Sequence, residues 1–132
     1  DRGDLATEIV MLENSVIEFE TQDSRKEYEG IKFIMATMAQ NAYMRQSEYL
    51  ARMVQEEMGK QMKSMHMKDR GVKQGNFWVL VGATMPNILV ETGFISNKHD
   101  SKILNTKKYQ MKIAEGIFAG IKRFKEDTES AI

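Results

Sequence analysis

Apolar residues recur along this chain at two different periods. Leu5, Ile9, Leu12, Val16 and Phe19 step by three and four, which places them on one stripe of a helix whose other side carries Glu8, Glu13 and Glu18. Gly30 breaks that pattern. From Ile31 to about Met65 the period is helical again, through Ile34, Met38, Tyr49, Met53, Met58, Met62 and Met65. An interruption is expected near Ser47, whose hydroxyl suits an N-cap. A last helix from Tyr109 to about Lys125 is expected to bury Ile113, Ile117, Ile121 and Phe124 and to leave Lys112, Lys122 and Lys125 in water.

Between these stretches the period shortens. Asn76 to Val81 and Asn87 to Phe94 read as strands, and in the first of them Phe77, Val79 and Val81 alternate with the equally apolar Trp78 and Leu80. Such a strand belongs in the middle of a sheet covered by helices on each side. Gly82 and Pro86 punctuate a turn between the two, with Pro86 at a strand entry because it cannot donate to a ladder. The expected fold class is therefore α/β: a three-layer domain with a mixed central sheet flanked by helices, incomplete in its N-terminal strands. Two strands alone are marginal in water, so the others are expected upstream or from a partner chain.

One carboxylate interrupts the second run, Asn87-Ile88-Leu89-Val90-Glu91-Thr92-Gly93-Phe94-Ile95-Ser96-Asn97. Inside a strand buried on both faces, an unpaired ionised Glu91 would be costly or would shift its pKa upward. A glutamate so placed suits general acid and base chemistry on a water or a leaving group, above all beside a metal ion. The other reading is a strand-end glutamate turned to solvent or paired with a lysine. Gly93 is expected to allow a backbone geometry or a close approach that a side chain would block.

Composition narrows the classes. At 132 residues, 42% hydrophobic and 29% charged, the chain suits one soluble domain with one core. It has no cysteine, hence no disulfide framework and no thiolate site. Its eleven methionines fall largely at core spacing and read as packing. No apolar run is long enough to span a bilayer. A net charge of zero argues against nucleic acid as the main partner, yet the first thirty residues hold nine acidic and three basic side chains. Either an acidic helix lies against a basic remainder or its charged face is simply solvated.

Linked motifs carry the sharper signal. Asp69-Arg70-Gly71-Val72-Lys73-Gln74, Phe77-Trp78-Val79-Leu80, Met85-Pro86, Leu89-Val90-Glu91-Thr92-Gly93-Phe94-Ile95-Ser96-Asn97, then Leu104, Tyr109 and Ile113-Ala114 follow one another in order. This series closely resembles the zinc-dependent N-acetylmuramoyl-L-alanine amidases of bacterial cell walls. The resemblance is strong from about Ser47 to Phe124. Leu12-Glu13-Asn14-Ser15-Val16-Ile17 looks like an insertion found in some members.

The resemblance implies the C-terminal part of an amidase catalytic domain over residues 1–132, with residues 5–46 a helical insertion. It implies a hydrolase that cuts the amide between N-acetylmuramic acid and the L-alanine of the stem peptide, outside the cytoplasm in the periplasm or cell envelope. Glu91 matches the family's catalytic glutamate. Arg70 and Lys73 are weaker candidates for meeting stem-peptide carboxylates, against the commoner alternative of a turn-stabilising salt bridge. In some members an inserted helix covers the active site until an activator protein moves it, and residues from Leu5 to about Tyr49 are expected to do the same. Zn2+ is the implied cofactor, held in the family by two histidines and a glutamate upstream of the matched segment. His66 and His99, the only histidines here, occupy neither ligand position and are expected at the surface. No metal ligand is therefore expected within this chain, and alone it is expected to be inactive. A non-catalytic peptidoglycan-binding module and a helical interaction protein are the alternative classes.

Overall fold

The computed structural model describes residues 2–16 and 31–131. Among the described residues the α-helices in chain order are α1 (Arg2–Ser15), α2 (Ile31–Ala42), α3 (Met44–Met62), α4 (Lys98–Leu104) and α5 (Lys107–Ser130), with a 3-10 turn at Trp78–Leu80. Phe19, Glu18 and Gly30, part of the first expected pattern, lie outside the described residues.

The expected α/β class is overturned, because no strand forms among the described residues. Both runs read as strands send their backbone hydrogen bonds elsewhere. In the first, Leu80 N donates to Phe77 O at 3.0 Å and Val81 N to Trp78 O at 3.0 Å, closing local turns. Trp78 N donates to the Asn14 side chain at 2.9 Å. In the second, Asn87 N donates to Ser47 Oγ at 3.0 Å and Phe94 N to Asp100 Oδ2 at 3.0 Å. Alternation of apolar residues supplies the faces of a strand but not its neighbour, and side chains here take the place of a ladder. Trp78 and Val79, expected inside, are 42% and 63% exposed.

The chain divides into two compact units. The first comprises Asp1–Ser47 and Lys73–Ile88. In it α1 meets the 3-10 turn through Asn14, whose Nδ2 donates to Asn76 O at 2.9 Å while its Oδ1 accepts from Trp78 N. One amide thus serves both a backbone donor and a backbone acceptor. Val10 comes so close to Gly75 that a Cβ there would collide with it. The expected stripe on α1 is only partly covered: Leu5 and Ile9 are half-buried, Leu12 and Val16 exposed. The helical break falls at Tyr43, four residues before the expected one, and Ser47 N donates to Tyr43 O at 2.9 Å inside the new helix. Ser47 is thus no N-cap; its hydroxyl accepts from Asn87.

The second unit comprises Glu48–Val72 and Leu89–Ile132, and its core is the pairing of α3 with α5. Met53, Val54 and Met58 are buried from α3, Tyr109 and Ile113 from α5. Gly116 and Gly120 are buried too, and a Cβ on Gly116 would stand 2.7 Å from Met58 Cα, one on Gly120 2.7 Å from Val54 N. Tyr49 meets Phe124 with ring centroids 5.9 Å apart. As one number rises the other falls, so the two helices run antiparallel with backbones in near contact. Arg123 closes the seam on Glu56 at 2.7 Å and Glu57 at 3.2 Å. Ile121, expected inside, is 48% exposed because the seam is centred on the glycines.

Candidate functional site

In the second unit the glutamate-bearing segment is fixed by its neighbours. Thr92 O accepts from the Tyr109 hydroxyl at 2.5 Å, and Tyr109 is 1% exposed on α5. Phe94 N donates to the Asp100 carboxylate on α4, and the Arg70 guanidinium stands 5.1 Å above the Phe94 ring. Gly93 lies between them with φ 151, a conformation open to glycine and strained for other residues. A Cβ there would also stand 3.2 Å from Met67 Cε and 3.3 Å from a Leu104 methyl. Glu91 is the residue immediately before this pinned stretch.

Each anchor is itself built locally. Asn97 caps α4, its side chain accepting from His99 N and Asp100 N, which sets Asp100 in the first turn. Thr106 caps α5 by accepting from Tyr109 N. Burial raises the pKa of the Tyr109 hydroxyl, and the nearby Asp100 charge adds to this, so it remains the proton donor to Thr92 O. Arg70 is placed by an Asp69 turn: Asp69 Oδ1 accepts from Gly71 N at 2.7 Å and from Gln55 of α3 at 2.6 Å, and Gly71 has φ 70.

Glu91 is exposed, not buried between two helical layers. Arg70 is exposed and spends its planar face on Phe94, with no ion pair among the described residues. Lys73 is exposed and belongs to the first unit. His66 and His99 are both exposed, and His99 Nε2 lies 3.4 Å from His66 O. A catalytic zinc needs three converging protein donors and an open position. No group of three His, Cys, Asp or Glu able to hold a metal occurs among the described residues, which do not fit a zinc site by themselves.

Sequence reasoning found Glu91, Gly93 and Arg70 but not Asp69, Asp100 or Tyr109 as the groups that hold them. A signal for α4 was present, since Asn97 followed three residues later by Asp100 and then by Ile103-Leu104 marks a helix start.

The N-acetylmuramoyl-L-alanine amidase family model matches residues 17–123. An uncharacterized cell wall amidase of Bacillus anthracis is 40% identical over 85 residues, covering 64% of this chain and 15% of that protein. The N-acetylmuramoyl-L-alanine amidase AmiC of Neisseria meningitidis is 37% identical over 66% of this chain and 20% of its own length. AmiC of Escherichia coli O6:H1 is 37% identical over 70% of this chain and 22% of its own. The chain therefore spans less than a third of the length of these relatives. No solved structure matches it.

Proposed function

Since the chain belongs to the N-acetylmuramoyl-L-alanine amidase family, we propose that it supplies the glutamate-bearing part of a peptidoglycan amidase, with residues 1–132 the C-terminal part of the catalytic domain. The observation that carries this reading is Glu91 beside a backbone stretch held at Thr92 and Phe94 by Tyr109 and Asp100. Glu91 would accept a proton from water as the water oxygen adds to the amide carbonyl carbon. It would return that proton to the nitrogen as the carbon–nitrogen bond breaks. The products are the carboxyl group of N-acetylmuramic acid and the free amine of the L-alanyl stem peptide.

A zinc ion, when bound, would polarise the carbonyl and acidify the water. Its ligands would come from outside the described residues, so this chain alone would not turn over. Arg70 and Lys73 would meet carboxylates of the stem peptide. The protein would act in the periplasm or cell envelope. Among the described residues no helix is long and apolar enough to cross a membrane. Residues 5–46 would form an inserted helical segment that restrains activity until an activator moves it.

A chimera tests these roles together. Residues 47–124 replace the matching segment of an active relative, and release of stem peptides from purified cell walls is followed. The chimera should cleave, Glu91→Gln should cost about 10²- to 10⁴-fold in rate with circular dichroism unchanged, and adding residues 5–46 should lower activity. Near-normal turnover by the folded Glu91→Gln chimera would exclude the glutamate's role. The second reading, a wall-binding module, is favoured by the lack of a three-donor group among the described residues. It predicts retention on cell walls by a folded chimera that releases no peptide.

A further inference from the structure

A second surface on the same unit has no part in the amide chemistry. Between Lys98 and Lys112 the chain carries five lysines and one carboxylate, Asp100, which is engaged with Phe94 N. Lys98, Lys102, Lys107 and Lys108 are exposed and Lys112 half-buried. None of the five forms an ion pair among the described residues. The contrast lies further along α5, where Lys122 pairs with Glu126 at 3.9 Å, Lys125 with Glu129 at 3.7 Å and Arg123 with Glu56 at 2.7 Å. The cations of the second half of α5 are answered from within the protein and those of its start are not.

Apolar residues share this outer face. Lys107, Met111, Ala114, Phe118 and Lys122 recur at steps of four, three, four and four, which aligns them along one side of the helix. Tyr109, Ile113, Gly116 and Gly120 take the other side, into the α3 seam. Met111 is 61% and Phe118 69% exposed, unusually open for such large side chains on a helix already buried along one face. The one carboxylate at the edge of the stripe is Glu115. Gln110 Nε2 donates to Leu104 O at 3.0 Å, tying the lysine-bearing start of α5 to the end of α4. A row of methionine and phenylalanine that begins at unpaired lysines answers two needs of one partner, a negatively charged surface with an apolar layer beneath it.

We propose that the outer face of α5 is a docking surface for anionic lipid headgroups, with Lys107 and Lys108 on the phosphates and Met111 and Phe118 at the acyl boundary. A soluble phosphate polymer would meet the lysines but leave the apolar pair without a role. Lysines near a charged bilayer each add to attraction within a screening length, and a shallow apolar insertion adds to it. Such binding would hold the chain beside a membrane through α5.

Co-sedimentation of this chain with phosphatidylglycerol–phosphatidylcholine vesicles, against phosphatidylcholine alone, tests the proposal. Binding should require phosphatidylglycerol and should fall sharply near 1 M salt, where the screening length is about 3 Å. The double variant Lys107→Glu, Lys108→Glu should bind at least about tenfold more weakly. It should keep its fold, because glutamates are favourable at a helix start. Met111→Ser with Phe118→Ser should also weaken binding by about tenfold, with helicity unchanged by circular dichroism. Equal binding to neutral vesicles, or no effect of charge reversal, would overturn the proposal. Charge reversal that weakens binding while the serine variants bind normally would also overturn it, and would point to a purely ionic polymer.

Discussion

Gly93 shows how one residue decides whether the segment after Glu91 can take its path. Its φ of 151 is strained for any side chain, and an added methyl would also press on Met67 and Leu104. Gly93→Ala should destabilise the protein by about 1–3 kcal/mol, read as a lower urea midpoint with an unchanged slope. A wild-type midpoint would mean the segment relaxes at no cost. Tyr109 offers a pH test of the same segment. Burial raises its pKa in the folded state, so the folded chain holds this proton more tightly than the unfolded one. The stabilisation is fully present below the unfolded tyrosine pKa of about 10 and is lost as pH rises through the higher folded value. Tyr49, whose hydroxyl donates to Asp127 at 2.7 Å, is raised chiefly by that hydrogen bond and behaves in the same direction. Tyr109→Phe should lower stability at neutral pH and flatten its decline above pH of about 10. An unaltered alkaline slope would place the titration elsewhere. At this scale the sequence disclosed Gly93, because a glycine after a carboxylate stands out. It hid Tyr109, which looks like any aromatic on a helical stripe.

Among elements, the α3–α5 seam was half legible. The period located both helices, but the count of bulky residues aimed α5 at Ile117 and Ile121, whereas its contact line runs through Tyr109, Ile113, Gly116 and Gly120. Hydrophobic periodicity weighs large side chains, and a seam made by backbone approach is nearly invisible to it. The three glycines of α3 and α5 should therefore respond in opposite directions to the same substitution. At Gly59 of α3 the nearest atom to an added Cβ is Asp69 Oδ2 at 3.9 Å, so Gly59→Ala should stabilise by about 0.5–1 kcal/mol through helix propensity alone. At Gly116 and Gly120 the same gain is offered, but the Cβ would meet the backbone of Met58 and Val54, which cannot turn away as a side-chain tip can. Overpacking of this kind costs about 1–3 kcal/mol and should win. Thermal melts of the three single variants suffice, and a stabilised Gly120→Ala would mean that α3 and α5 do not meet there.

For the whole molecule, the amidase family was legible from the order of its motifs, and the sheet expected with it does not form among the described residues. Strand pairing is a property of two segments, and a sequence displays only one at a time. Here Asn14, Ser47 and Asp100 side chains and local turns take the backbone groups that a neighbouring strand would have taken. The same dependence on partners governs the metal. Glu91, His66 and His99 are the residues a zinc reading would reach for first, and no three-donor group able to hold a metal occurs among the described residues. Two exposed imidazoles without a third ligand cannot hold zinc against exchange, because tight sites need three or four protein donors fixed in tetrahedral geometry. The chain loaded with zinc and exchanged into metal-free buffer should therefore retain close to no metal per protein. Retention of about one zinc per chain, lost on replacing His66 or His99, would reveal a site assembled within these 132 residues and would require the proposed division of labour to be redrawn. Retention should rise to about one zinc in the chimera, where the relative's residues stand beside this chain's Glu91. It should survive Glu91→Gln there, which separates a glutamate that moves protons from one that ligates metal.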